Sequence, residues 1–98
     1  MSDNKPICTT YPNGDKMWFL NGKCHREDGP AVERANGYKE WFLNGKRHRE
    51  DGPALERANG DKQWWLNDNK ATALEVFKRA NDEQRKHMLI IYPNEFSA

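Results

Sequence analysis

Two stretches of the chain read His-Arg-Glu-Asp, residues 25–28 and 48–51, and each brings a base, a cation and two carboxylates together. Such a set is the raw material of general acid–base chemistry, in which an imidazole moves a proton and a carboxylate orients it. Catalysis also needs convergence. Here the same groups recur at a fixed step along the chain, with no Ser or Cys nucleophile beside the His in both copies. The spacing implies a strip of polar groups with no enclosing pocket, so no catalytic residue is assigned and the chain is not read as an enzyme. Structural work is expected instead. Asp28 and Asp51 are expected to hydrogen-bond the backbone of their own Asp-Gly turns, and Arg26 and Glu27 to pair across units with Arg49 and Glu50.

Zinc chemistry is the next candidate, because Cys8, Cys24, His25, His48 and His87 are all ligand types. Cys24 and His25 are strand neighbours and point to opposite faces. His25 and His48 stand one repeat apart, about 10 Å in a regular ladder, against the ~4 Å or less between donors of a tetrahedral ion. Neither a metal nor a cofactor is expected. Two cysteines without a secretory signal are expected to be free thiols. No Gly-containing turn leads into a helix in the pattern that cradles phosphate.

Composition narrows the classes further. The chain has 98 residues, 36% hydrophobic and 32% charged, with eleven aromatics, so one domain with a thin, aromatic core is expected. Sixteen basic against fifteen acidic side chains leave no long-range field to gather phosphate backbones, which makes nucleic acid an improbable partner. Residues 1–6 are polar and no apolar run reaches the ~18 residues of a membrane span, so a cytoplasmic protein without membrane contact is expected.

The elements that must position these groups come from a tandem repeat. Residues 14–36 laid over residues 37–59 match at 19 of 23 positions, the differences being Asp15/Tyr38, Met17/Glu40, Cys24/Arg47 and Val32/Leu55. A third copy covers residues 60–67 and ends where Gly-Lys becomes Asp68-Asn69, while residues 7–11 fit the second half of a truncated leading unit. Each full copy holds two Asn-Gly pairs, 21–22 with 36–37 and 44–45 with 59–60, and every pair signals a type I′ hairpin turn. Residues 16–20 and 39–43 read as strands, and the Glu-Asp-Gly-Pro stretch should break the returning strand. The two-residue period puts Trp18 with Leu20 and Trp41 with Leu43 on one face, so Trp18, Trp41 and Trp64 should form a ladder.

Beyond the repeats the period changes. Thr72 and Glu75 form a capping-box pattern that starts a helix at Ala73, with Leu74, Phe77 and Ala80 on one stripe. Asn81 with Gln84 offers a second cap, which leaves open one kinked helix or two across residues 72–92. The run 88–91 before Pro93 is readable even as a strand. This apolar segment is expected to cover one end or one side of the sheet.

The phrase Trp-x-x-Asn-Gly-Lys-x-His, at residues 18–25 and 41–48, resembles the membrane occupation and recognition nexus (MORN) repeat, whose period is also 23. The resemblance covers residues 14–67. It implies mainly β structure with C-terminal α: a single-layer antiparallel β-meander of hairpin repeats, capped here by one or two helices. Where that family carries His-Gly-x-Gly this chain has His-Arg-Glu-Asp-Gly-Pro-Ala, a variant similar to repeats of small bacteriophage and large-virus proteins. It therefore implies a viral source, and a host cytoplasm for the product. The expected function is a non-enzymatic protein-binding module that acts on a host protein of unknown identity, with a homodimer as a further partner. The contact residues are taken to be exposed: Phe19, Tyr38 and Phe42 on one sheet face, with Arg26, His48, Arg49 and Glu50 along the rim. The alternatives are a nucleic-acid or nucleotide binder using the aromatic and basic strip, and a structural or assembly protein.

Overall fold

The computed structural model of the chain describes residues 5–96. Among these residues ten strands precede two helices: β1 (Ile7–Thr10), β2 (Lys16–Leu20), β3 (Lys23–Cys24), β4 (Val32–Glu33), β5 (Lys39–Glu40), β6 (Phe42–Leu43), β7 (Lys46–Arg47), β8 (Leu55–Glu56), β9 (Lys62–Leu66), β10 (Asn69–Ala71), α1 (Ala73–Arg79) and α2 (Asp82–Ile91). A turn of 3-10 helix, Pro93–Glu95, follows. The result is an open antiparallel meander in the order β1-β2-β4-β5-β8-β9-β10, with β3 paired to the far half of β2 and β6–β7 forming a separate hairpin.

The repeat is a repeat of register as well as of letters. Thr10 faces Lys16, Glu33 faces Lys39 and Glu56 faces Lys62 in three successive strand pairs, which makes β1 the returning strand of a truncated leading unit. Each unit bends between its two pairings, and in the second copy the bend splits residues 39–43 into β5 and β6 at Trp41. The Trp41 amide still donates to Ala54 O (2.8 Å) and its carbonyl still accepts from His48 N (3.1 Å). Hydrogen bonding therefore continues through a residue that belongs to neither strand.

The tight turns divide into two kinds. Asn21-Gly22 (φ 52° and 79°) and Asn44-Gly45 (52° and 80°) have the paired positive φ of type I′ hairpins. At Asn36-Gly37 and Asn59-Gly60 only the glycine is left-handed. There Gly37 N donates to Arg34 O and Gly60 N to Arg57 O, both at 3.0 Å, closing longer turns. The expected I′ geometry fails at these two sites because each Asn side chain turns back to accept a backbone N–H two residues on, from Tyr38 (3.1 Å) and Asp61 (3.0 Å). The third copy runs further than its letters suggest. Asn67 and Asp68 take φ 49° and 69° without a glycine, and β10 pairs with β9 as far as Ala71.

Two helices, not one, close the stack, and each begins with a complete capping box, Thr72/Glu75 and Asn81/Gln84. The expected inward stripe of α1 is partly wrong. Val76 and Ala80 are buried and Phe77 packs beside them, while Leu74 faces out. In α2 only Met88 of the apolar run is buried, and Leu89, Ile90 and Ile91 remain exposed in a helix. The core joins Trp64 and Leu66 of β9 to Val76, Ala80 and Met88, with Phe77 and Phe96 against it. Each such large side chain contributes about 1.5–3 kcal/mol of burial. This cluster thus sits at the helical end of the meander, while Ala31, Val32, Ala54 and Leu55 are buried along the sheet, and among the described residues no helix lies over the β1 end.

Candidate functional site

The His-Arg-Glu-Asp residues build the joints between repeats. His25 Nδ1 accepts from Asn44 N (2.9 Å) and His48 Nδ1 accepts from Asn67 N (3.0 Å), so each histidine holds the hairpin turn of the following unit. An Nδ1 that accepts leaves the proton on Nε2, which points to Glu27 at 3.4 Å and to Glu50 at 2.9 Å. The hydrogen bond from His48, with a second from Gln84, holds the Glu50 carboxyl below the usual carboxylate range. Both imidazoles are buried. His48 therefore does not lie exposed on the rim, because an imidazole that holds the turn of the following unit sits between the two units.

The arginines are clamps of matching design. Arg26 donates from Nε to Asp28 (3.0 Å) and from Nη1 to Pro30 O (3.1 Å) and Glu33 (3.0 Å), closing its own Glu-Asp-Gly-Pro loop. Arg49 repeats the set on Asp51 (2.9 Å), Pro53 O (3.0 Å) and Glu56 (3.1 Å). Each guanidinium also lies 3.9 Å from a tryptophan ring centre, Arg26 over Trp18 and Arg49 over Trp41. The expected pairing across units is not what forms. A planar fork closes its own loop more readily than it reaches the next unit, so the aspartates bond their arginines and not the turn backbone. In place of a bare tryptophan ladder, Trp18 and Trp41 carry arginines, and Trp64 carries Tyr92 and Phe96 edge-on at 6.0 and 5.9 Å.

Three of the four differences between the copies gather in one cluster. Arg47 Nε donates to the buried Glu40 carboxylate at 2.6 Å, where the first copy has Cys24 and Met17. Burial pushes the Tyr38 hydroxyl up, and its hydrogen bond to Glu40 adds to that. Burial, reinforced by Glu40, likewise raises the Cys24 thiol. Phe19, Tyr38 and Phe42 are all half-buried, so the expected open aromatic face is partly covered by such neighbours as Arg57 over Tyr38 and Arg47 beside Phe42.

Between the first and second clamps lies a half-open cleft of about 590 Å³. Its floor is Trp41, Leu43 and Pro30, its rim carries Glu27, Asp28, Glu50 and Asp51, and Gln84 and His87 of α2 form one wall. Arg26, His48, Arg49 and Glu50 of the expected contact set come together here, whereas Phe19, Tyr38 and Phe42 do not line it. The expectation of no enclosing pocket is corrected, because α2 folds back beside the strip and supplies a wall that repeat spacing does not contain. Gln84 donates to Glu50 (3.2 Å), and His87 Nε2 is buried without a hydrogen-bond partner. Trp41 and Leu43 were visible to the strand period as a shared face. The sequence marked Gln84 only as a helix cap and His87 only as a ligand type, and nothing in it placed either beside the strip.

Among the described residues no group of three or more His, Cys, Asp or Glu side chains is arranged to hold a metal ion, and Cys8 and Cys24 are free thiols. Among them, too, no helix is long and apolar enough to cross a membrane. Comparison with family models, curated proteins and solved structures gives no match to this chain.

Proposed function

We propose that the chain is a non-enzymatic, MORN-like protein-binding module that receives a segment of another protein in the cleft between its first two clamps. One observation carries the reading: the groups that resemble a catalytic set are committed to holding the stack, yet they leave a concave surface with an apolar floor and an acidic rim. His25, His48, Arg26 and Arg49 each bind the chain itself, so their bonds serve to shape the cleft. A tryptophan–leucine–proline floor with charges at the edge is the usual anatomy of a recognition pocket. The likeness of the His-Arg-Glu-Asp-Gly-Pro variant to bacteriophage repeats supports a viral source, a cytoplasmic site of action and a host protein as partner.

The test uses immobilised full-length chain and its Glu27→Arg variant as baits in bacterial lysate. The Glu27 side chain is 81% exposed and meets His25 only at 3.4 Å, so the substitution reverses charge at the mouth, and circular dichroism of the variant checks that the stack is folded. A protein retained by the wild type and lost on the variant is expected. Identical retention by both would remove the cleft from the account.

A further inference from the structure

The cleft has a filled counterpart one repeat along. At the second joint Tyr92 stands edge-on to Trp64, and its hydroxyl accepts from Arg49 Nη1 (3.1 Å) and donates to Glu56 (2.8 Å). Shifted back by 23 residues, that environment is Trp41, Arg26 and Glu33, and two of these three, Trp41 and Arg26, line the open cleft. The third, Glu33, holds Arg26 Nη1 as Glu56 holds Arg49 Nη1. Exposure follows the same offset. Asp28 is 88% exposed against 44% for Asp51, and Arg26 23% against 10% for Arg49. Pro53 is buried where Pro30 is half-buried, and Leu66 is buried where Leu43 is half-buried. The first joint therefore has the same recognition groups as the second without the tyrosine that covers them.

The chain carries a second form of the covering element. Tyr92-Pro93-Asn94 recurs as Tyr11-Pro12-Asn13, and both are turns closed by the same bond, Glu95 N to Tyr92 O (3.1 Å) and Gly14 N to Tyr11 O (2.9 Å). Tyr11 stands where the later repeats have Arg34 and Arg57, so the stack itself does not call for tyrosine-proline there. It is exposed, at the β1 end that no helix of the described residues covers. We infer that the cleft binds the Tyr11-Pro12 turn of a second copy of this chain, the phenol entering between Arg26 and Trp41 as Tyr92 enters between Arg49 and Trp64. The incoming hydroxyl accepts from Arg26 Nη1 and donates to Glu33, and the ring lies against Trp41 and Leu43. This assignment rests on the proposed reading of the cleft as a protein-binding site.

Sedimentation equilibrium of the full chain, from micromolar to millimolar, tests it. The wild type is expected to self-associate, Tyr11→Ala to remain a single chain, and Tyr11→Phe to associate roughly tenfold more weakly for want of one hydroxyl pair, the ratio that 1.4 kcal/mol represents. Mixing Tyr11→Ala with Glu27→Arg is expected to restore a heterologous pair, since one variant keeps the cleft and the other keeps the turn. A peptide of sequence Tyr-Pro-Asn-Glu-Phe is expected to dissociate the wild-type assembly. Monomer behaviour of the wild type throughout, or unchanged association of Tyr11→Ala, overturns the inference. If a lysate protein is still lost on Glu27→Arg in that case, the cleft reading survives and only its occupant was wrong. If neither effect is seen, both fall.

Discussion

Replacing each clamp arginine by lysine separates a clamp from a mere charge. Arg49→Lys keeps the cation but cannot span Asp51, Pro53 O, Glu56 and the Tyr92 hydroxyl from one point, and it loses the flat stack on Trp41. Stranding partly buried carboxylates costs several kcal/mol when a buried partner is removed outright, and the retained ammonium offsets part of this. The lost stack adds about 0.5–1 kcal/mol. A net loss of about 2–4 kcal/mol is expected. Arg26→Lys removes one bond fewer, at a site with twice the side-chain exposure, and about 1 kcal/mol is expected there. At ~4–8 °C per kcal/mol for a domain of this size, Arg49→Lys melts about 8–32 °C below the wild type and Arg26→Lys about 4–8 °C below it. Thermal unfolding followed by far-ultraviolet circular dichroism, with urea midpoints as a check, reads both. Equal losses, or a larger loss at Arg26, would refute the clamp argument, because the two loops differ mainly in what the C-terminal segment adds.

His48→Phe leaves the Asn67 amide without its acceptor and is expected to cost about 2–3 kcal/mol in urea denaturation; His25→Phe, whose second contact is longer at 3.4 Å, is expected to cost less. Tyr92 is held neutral chiefly by burial, with a hydroxyl pushed up to about 12 against Arg49, which opposes the shift. Because its folded value lies above the ordinary value near 10, this stabilisation is fully present below pH ~10 and is lost as pH rises from there towards 12. Tyrosinate absorbance should therefore show a late phase that Tyr92→Phe removes. Gly45→Ala places a methyl at φ 80°, where the turn needs a left-handed residue, and is expected to cost about 1–2 kcal/mol by the same denaturation assay.

The local grammar of the chain was readable without coordinates. Asn21-Gly22 and Asn44-Gly45 had to turn because only such pairs hold two successive positive φ values cheaply, and Thr72/Glu75 and Asn81/Gln84 had to start helices because each satisfies its own orphan amides. The 23-residue identity foretold the repeated register and the leading half-unit, since identical letters at identical spacing meet identical neighbours. Competition within a few residues was less legible. Asn36 and Asn59 carry the same Asn-Gly signal yet bond their own backbone, and Asp68 keeps the hairpin without a glycine.

What tertiary structure alone decided is which face of each group is spent. The sequence by itself determined that two His-Arg-Glu-Asp sets exist, one repeat apart, on a meander with a helical end. It could not say that the imidazoles turn inward to hold the next hairpin, that the arginines close their own loops over tryptophan, or that α2 folds back to wall a cleft. The first and last of these depend on contacts between residues 19 to 43 positions apart, such as Asn44 with His25 and Tyr92 with Arg49, and the clamps on a choice among partners within eight residues of each arginine. A pattern of local spacing carries no record of which distant partner satisfies a buried donor first.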